Sequence, residues 1–426
     1  MVLNNFIILF SSYILCLVSV LGYGLFFNKI FLAEKIKIDI AFSGLLGIFF
    51  LTIYSYLSHF FFSHNILHNS IILILGNFLF FYLIRKTNNI NQLKVISLIF
   101  LLLTILLFSF KTHDDFPYYH FPYTNYLTHS DIIIGVGNYD HGWRTPSSIF
   151  YINSLFYLPF VKYYSYHLGA IIIMGLSMST IMIGLIKQIK KNEINEIFYL
   201  RLLSFTFITI FFYRISEHGT DRSALILTFV LLIEIFEFFK KKQKFENFLN
   251  KLFVLGSLMI SLKVFYLVYL LLLIPIVNYL YKENKLQKLK LIYKNLFFYF
   301  SFLLVTFVLI INFFNSGCLI YPLAITCFEN FSWSIPYDEV IKMSIHYENW
   351  SKAGAGPNFE FKVDNFEEHI KNLNWLSIWV DKYFFNKVSD FLLGLVLMSV
   401  VFITFFYSKK KKNIKISIIQ FFILYY

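Results

Sequence analysis

Ten long apolar runs recur along almost the whole sequence and constrain its fold more than any other feature. They fall near residues 6–27, 40–59, 67–84, 95–110, 167–186, 198–213, 223–239, 252–280, 295–314 and 388–407. Most are long enough, or nearly so, for the ~20-residue helix that crosses a bilayer. Only 14% of the residues are charged, against roughly 25% in soluble domains. The sequence therefore predicts an all-α integral membrane protein and excludes a soluble one.

The positions of the basic residues predict the orientation of these helices. One alternating set of connections holds 25 of the 37 Lys and Arg residues and only a minority of the acids. This set comprises residues 28–39, 85–94, 187–201, 240–251, 282–294 and 408–415. The positive-inside rule places it in the cytoplasm, with the N-terminus and the other connections outside. The net charge of +13 is then a topology signal, and we expect no nucleic-acid partner.

The run 252–280 must cross the bilayer twice or not at all, because lysine-rich segments flank it on both sides, and we interpret it as a hairpin that crosses twice. Its charged residue is Lys263, which we expect at the outer apex of a helical hairpin or facing a polar cavity. A charge at membrane depth is a functional candidate, and a lysine that reaches the headgroups is the equal alternative. The count is then about 11–12 helices, with the apolar end 416–426 interpreted as a truncated twelfth helix.

Two long segments on the outer side, residues 111–166 and 315–387, do not resemble membrane helices. Both are rich in Tyr, Trp, Phe and Pro, so we expect folded loops over the outer membrane face. The apolar stretch 149–161 inside the first loop predicts an interfacial or re-entrant helix. The predicted domains are N-terminal helices (1–110), a first outer loop (111–166), central helices (167–314), a second outer loop (315–387) and C-terminal helices (388–426).

Cysteine spacing leaves a disulfide open in the second outer loop. Cys318 and Cys327 are separated by eight residues, a spacing that suits a small bridged loop on an oxidising face. Two free thiols are the alternative. The sequence contains no Cys-x-x-Cys, His-Glu-x-x-His or Walker-type motif, so it indicates neither a zinc site nor nucleotide hydrolysis.

The densest group of chemically useful side chains follows the fourth apolar run. It contains His113, Asp114, Asp115, Tyr119 and His120. Two adjacent carboxylates at a helix exit can supply a general base, since a like charge and desolvation raise the pKa. They can instead bind a divalent cation with water completing its shell, or cap the following turn. No cofactor is otherwise indicated.

The acidic pair begins a longer pattern. It runs Asp114-Asp115-x-x-Tyr118-Tyr119-His120-x-Pro122, then Leu127, Gly137-Asn138, Gly142-Trp143 and Ser147-Ser148. This pattern resembles the first large outer loop of GT-C class membrane glycosyltransferases, which include protein O-mannosyltransferases and lipid A aminoarabinose transferases. The later Gly317-x-x-x-Tyr321-Pro322 is similar to an element of the same class. The surrounding segment also resembles that of uncharacterised bacterial multi-pass membrane proteins.

This resemblance implies a specific activity. A sugar would move from a polyprenyl-phosphate carrier to a glycan, lipid or protein acceptor on the periplasmic face of a bacterial inner membrane. Asp115 would be the catalytic base, or Asp114 if the register differs by one. The implied substrate contacts near the base are His113, Tyr119, His120 and Tyr321. In most of the class this loop follows the first helix, whereas here it follows the fourth.

Further basic residues are candidates for holding a lipid phosphate. The outward connection between the sixth and seventh runs carries Arg214, Asp221 and Arg222, where guanidinium groups could bind phosphate bidentately. Lys263 could reach the same phosphate, and an interfacial ion pair is the alternative. Arg144 could clamp phosphate or stack on a sugar, or it could merely complete a turn.

Two other function classes stay open. A flippase or transporter usually carries ionisable or broken helices near the midplane, whereas most of these runs are uninterrupted Ile, Leu and Phe. A lipid-linked polysaccharide polymerase or ligase usually has Arg and His in a later outer loop. The loop 315–387 contains no Arg, which argues mildly against that class.

Overall fold

The computed structural model describes residues 2–32, 38–85, 89–108, 115–212, 220–240, 243–354 and 363–389, with isolated positions up to 396. The chain divides into two compact units, Met1–Ser344 and Ile345–Tyr426. This boundary falls inside the predicted second outer loop. Within the described ranges every regular element is helical and no β-strand occurs.

The described α-helices follow one another through most of the chain. They are α1 Val2–Phe27, α2 Ile40–His59, α3 Ile66–Ile84, α4 Ile90–Phe108, α5 Phe121–His129, α6 Ser148–Leu155, α7 Leu168–Lys190, α8 Glu196–Phe211, α9 Asp221–Phe239, α10 Phe245–Leu262, α11 Leu273–Lys282, α12 Leu296–Ser316, α13 Tyr337–Ser351, α14 Phe366–Ile370 and α15 Trp375–Trp379. Short 3-10 or π segments include Asn28–Leu32, Phe116–His120, His141–Trp143, Val264–Leu272, Leu286–Lys294 and Val380–Val388.

Eight described segments are long and apolar enough to cross a membrane. They are Phe6–Phe31, Ile40–His59, Ile66–Ile84, Ile90–Leu107, Lys162–Lys190, Phe245–Leu262, Val264–Lys282 and Leu296–Ser316. The prediction of an all-α chain with many membrane-compatible helices is thereby confirmed. The predicted runs 198–213 and 223–239 also form helices, but α8 has only 16 residues and α9 carries four charged side chains. The predicted run 388–407 lies mostly outside the described residues.

Burial separates central helices from peripheral ones. Over the most apolar 18 residues of each helix, the buried fraction is 83% in α2 and 72% in α10, whereas it is 17% in α3. A helix that is apolar all round yet exposed has a face for lipid. The centre of the first unit is therefore built on α2, α7 and α10, with α3 at its perimeter.

The helix ends fall into two groups, and one group meets the first outer loop. Ser261 at the end of α10 lies 2.8 Å (Oγ to Oγ) from Ser148 at the start of α6. The His64 amide, between α2 and α3, donates to the Leu127 carbonyl of α5 at 2.9 Å. We call this group, with the loop over it, the motif end.

The opposite helix ends meet one another and carry most of the lysines, so we call them the lysine end. Gln92 of α4 accepts from the Ile40 amide at 2.9 Å. Asn295, before α12, donates to Asn250 of α10 at 2.6 Å. The two groups of ends alternate along the chain, as the distribution of charge predicts.

The run 252–280 is divided at Lys263, where the sequence predicts the turn of a hairpin. α10 ends at Leu262, and Lys263 has an extended backbone before the next helical segment. The first arm starts earlier than predicted, at Phe245, because Phe245 and Phe248 are buried. Residues 245–251 are thus helix rather than connection, and Lys251 is accommodated by Glu234, 2.7 Å away.

The predicted interfacial stretch 149–161 has a different role. α6 begins at Ser148, capped by the Ser147 hydroxyl, and all eight of its residues are buried. It contacts α2, α5 and α7. Because a helix lying on headgroups needs one polar, exposed face, the interfacial alternative is wrong for α6, which is the buried part of the first outer loop. The re-entrant alternative stays a prediction.

Candidate functional site

The short π segment Phe116–His120 presents the described part of the acidic motif. Asp115 stands immediately before it, partly exposed, and makes no capping hydrogen bond to its backbone. The Tyr119 hydroxyl donates to Asp115 Oδ2 at 3.3 Å. His120 is buried, with its ring 4.4 Å from that of Tyr119 and 5.0 Å from that of Phe150 between centroids. Three predicted site residues therefore lie together, whereas His113 and Asp114 lie outside the described residues.

A second turn of the first loop packs against this segment. The Asp140 carboxylate accepts from the Gly142 amide at 2.7 Å. Gly142 lies against the Tyr119 ring so closely that a side chain there would collide with it. The His141 ring lies 5.8 Å from the Tyr118 ring, centroid to centroid. Tyr118 and His141 are both exposed to solvent in part.

We call Asp115, Tyr118, Tyr119, Asp140 and His141 the acidic–aromatic cluster. It combines two carboxylates, an imidazole and two phenols on one partly exposed surface. Carboxylates and imidazoles transfer protons, and the same groups accept hydrogen bonds from hydroxyl-rich ligands. Asp140 and His141 were not among the predicted site residues, although the run Asp140-His141-Gly142-Trp143 is a signal that could have identified them.

Arg144 connects the first outer loop with the second one. Its Nε donates to the Gly137 carbonyl at 3.0 Å, Nη1 to the Tyr321 hydroxyl and Nη2 to Glu339. The guanidinium is buried and also lies 5.0 Å from the centre of the Tyr321 ring. Burial raises the pKa of Tyr321, and the Arg144 charge partly offsets this. Each guanidinium nitrogen has one protein acceptor, so Arg144 links the two loops, and the predicted substrate contacts of Arg144 and Tyr321 stay predictions.

Two asparagines strengthen this connection. Asn315, at the end of α12, donates to the Trp143 carbonyl at 2.8 Å and to the Tyr123 hydroxyl at 3.2 Å. Asn138 donates to the Trp333 carbonyl at 2.9 Å. The described residues of 115–166 and 317–344 therefore form one layer over the motif end, rather than two separate loops.

The disulfide that the sequence left open is present in the structure. Cys318 and Cys327 are joined by an S–S bond of 2.04 Å. The Leu319 amide donates to the Thr326 carbonyl at 3.0 Å inside the same small loop. The bridge thus encloses Tyr321, whose hydroxyl receives the Arg144 hydrogen bond.

A buried histidine fastens the layer to the helices below it. His64 Nδ1 lies 2.6 Å from the Ser154 hydroxyl of α6, and Nε2 lies 2.9 Å from the Ser58 hydroxyl of α2. Burial, followed by the neighbouring His59 and His68, lowers the pKa of His64 well below its ordinary value. The isolated positions of these histidines gave no sequence signal for this network.

The predicted phosphate-binding group is partly assembled at the motif end. Lys263 and Asp221 form an ion pair with 2.8 Å between Nζ and Oδ1, and each side chain is about half exposed, 52% and 50% respectively. Arg222 follows Asp221 in the first turn of α9, and Arg214 lies outside the described residues. The contact between Ser261 and Ser148 places this pair on the same end as the first loop.

The structure adds no metal centre to this picture. Among the residues it describes, no group of three or more His, Cys, Asp or Glu side chains is arranged to hold a metal ion. A divalent cation at the Asp114–Asp115 pair therefore stays a prediction, because one of the two carboxylates lies outside the described ranges.

Comparison with known proteins gives a family and no activity. No curated protein matches the chain, and no solved structure matches it. One family model covers residues 6–426 and so includes both units and every candidate site residue. The chain therefore belongs to the family described as "Domain of unknown function (DUF8201)".

Proposed function

We propose that the protein is a GT-C-like membrane glycosyltransferase, which moves a sugar from a polyprenyl-phosphate carrier to a cell-envelope acceptor at the motif end. The observation that carries the proposal is the acidic–aromatic cluster, held in a layer over membrane-compatible helices. Asp115 is partly exposed there and close to Tyr119. In this reaction Asp115 accepts the proton of an acceptor hydroxyl. The hydroxyl oxygen attacks the anomeric carbon of the sugar, and the bond between that carbon and the carrier phosphate breaks.

The position of Lys263 supports a lipid-linked donor. Its ammonium group lies at the break between two membrane-compatible segments, half exposed beside Asp221. A cation at this depth attracts the phosphate of a lipid whose chain lies in the bilayer. As the sugar leaves, the carrier phosphate gains negative charge, which Lys263 stabilises.

The proposal also fixes the sides of the membrane. The lysine end faces the cytoplasm under the positive-inside rule, which places the acidic–aromatic cluster on the periplasmic face of a bacterial inner membrane. The disulfide at Cys318 and Cys327 supports this side, because disulfides persist in oxidising compartments.

The decisive variants are Asp115→Asn and the double variant Asp114→Asn/Asp115→Asn. We expect sugar transfer to fall by roughly 10²- to 10⁴-fold, the range for loss of a general base, with unchanged membrane insertion. The assay uses labelled polyprenyl-phosphate sugars and membranes from cells that lack the protein, which supply the acceptor.

Asp131→Asn is the matched control for this experiment. Asp131 lies in the same loop outside the cluster, and its Oδ1 accepts from the Ser63 amide at 2.9 Å, a role that asparagine keeps. The control should transfer sugar at the wild-type rate. Full activity in the double variant would remove Asp114 and Asp115 from the mechanism.

A lipid-linked substrate flippase or transporter is the second candidate function. It is favoured by the ion pair of the partly buried Lys251 and the buried Glu234 at the lysine end, since charges among membrane helices commonly mark transport pathways. Asp39 lies nearby, and burial raises the pKa of its carboxyl group. The transfer assay separates the two functions, because a transporter forms no labelled glycan product.

A further inference from the structure

A groove at the lysine end is separate from the candidate active site. It lies where the end of α9, the start of α10 and the segment that follows α11 come together, and it has a volume of about 490 Å³. It has one aromatic wall and one basic rim. The site residues at the motif end do not line it.

The aromatic wall is firmly packed. Phe238 of α9 contacts Tyr279 of α11 with 5.3 Å between ring centroids, and it stacks on Phe248 of α10 at 4.5 Å. Leu280 of α11 and Leu291 of the segment Leu286–Lys294 also line the groove. Phe238 and Leu280 are buried, and the partly exposed side chains of Tyr279 and Leu291 supply the apolar surface that faces the groove.

The rim is basic. It is formed by Lys244, Lys285 and Lys288, together with Glu246. Lys285 is paired with Glu283 at 2.8 Å, whereas Lys244 and Lys288 are exposed to solvent. The excess of positive charge is complementary to a phosphate group.

We propose that this groove binds the headgroup of an anionic phospholipid from the leaflet at the lysine end. The segment 264–282, which contributes Tyr279 and Leu280 to the groove, also carries the exposed apolar side chains Leu271 and Ile274, which are 60% and 63% exposed. An acyl chain can follow these side chains into the bilayer while the lysines hold the headgroup phosphate. Basic residues at this depth attract anionic lipids, and the exposed apolar side chains favour a lipid over free phosphate.

The test compares two double variants that remove the same charge. Lys244→Gln/Lys288→Gln changes the rim, and Lys290→Gln/Lys294→Gln changes two lysines of the same region that do not line the groove. Binding of short-chain phosphatidylglycerol to the detergent-solubilised full chain is titrated, with phosphatidylcholine as the neutral probe.

We expect the rim variant to bind phosphatidylglycerol roughly 20- to 30-fold more weakly, about fivefold for each lysine, and the control to bind it nearly as wild type. Wild-type affinity should fall with added salt. Equal binding by both variants, equal binding of phosphatidylcholine, or displacement of the lipid by inorganic phosphate at matched concentration would each overturn the proposal. Thermal unfolding of each variant establishes that both are folded.

Discussion

At the scale of single residues, the candidate site depends on partners that are far apart in the sequence. Arg144 is 177 residues from Tyr321 and 195 from Glu339. Its place beside Trp143 in a polar loop suggests a ligand contact equally well. The folded structure shows that its guanidinium donates hydrogen bonds to other groups of the protein. The sequence could therefore identify Arg144 as a candidate residue without assigning its role.

For Asp115, by contrast, the local sequence was sufficient to predict which site residues lie together. The sequence places it at a helix exit beside Tyr119 and His120, and the structure keeps these three residues together. Local motifs survive folding because neighbours within five residues share one turn. Asp140 and His141 join them through the packing of Gly142 on Tyr119. The run Asp140–Trp143 marks these residues as candidates, but the sequence does not show that they lie beside Tyr119, because that contact is tertiary.

His64 leads to a prediction about pH. Because its folded-state pKa lies well below the ordinary value, the neutral imidazole stabilises the fold fully above the unfolded pKa of about 6.5. Below that pH the unfolded chain binds a proton that the folded protein does not. Stability should therefore fall by about 1.4 kcal/mol per pH unit from this group as the pH decreases.

His64→Gln tests this expectation. The variant should start from lower stability at pH 7.5, because the contacts to Ser58 and Ser154 are altered, and should lose less stability between pH 6.5 and 5.5. His141→Gln removes a partly exposed imidazole outside the network and serves as the control. Thermal unfolding in detergent across this pH range measures both, and parallel pH profiles for His64→Gln and wild type would contradict the assignment.

At the scale of helices, hydropathy predicts that a helix exists more reliably than it predicts the residue at which the helix begins. The interruption at Lys263 was visible because a charge stands alone in a long apolar run. The start of α10 at Phe245 was not visible in the sequence, because Lys251 resembles the other lysines of the connection 240–251. Its pairing with Glu234 is an interhelical contact that hydropathy does not contain.

Helix packing near the N-terminus depends on glycine. A side chain at Gly22 of α1 would meet the backbone of Gly76 and, at 2.8 Å, the Phe80 amide nitrogen of α3. Small residues allow such close approach of helices in membranes. Because the obstructing atoms belong to the backbone, they cannot rotate away, and the two helices would have to separate.

We therefore predict that Gly22→Ala destabilises the protein by about 1–3 kcal/mol, the usual cost of overpacking. Gly256→Ala in α10 is the matched control, because a methyl group there meets no atom within 4 Å. It should be neutral or stabilising by up to about 1 kcal/mol through helix propensity. Thermal or denaturant unfolding of both variants gives the comparison, and equal stabilities would show that the α1–α3 contact is not as close as described.

At the scale of the whole molecule, the alternation of charged connections and the contacts between helix ends give the same arrangement. Connections rich in lysine meet at one end of the described bundle, and the acidic–aromatic cluster, the disulfide and Lys263 meet at the other. Hydropathy and charge predict this arrangement because both act on whole segments. They carry no information on how the outer layer folds, since its contacts join residues almost 200 positions apart.

The orientation proposed above, with the lysine end in the cytoplasm, yields a prediction for spheroplasts. Tyr139, at the motif end, is 83% exposed, and Gln287, at the lysine end, is exposed in the segment Leu286–Lys294. Tyr139→Cys and Gln287→Cys each add one thiol without changing a charge, and native Cys16 is buried. With the lysine end in the cytoplasm, a membrane-impermeant maleimide should label Tyr139→Cys in spheroplasts and Gln287→Cys only after permeabilisation. The reverse labelling pattern would place the acidic–aromatic cluster in the cytoplasm and would contradict a sugar-transfer reaction on the periplasmic face.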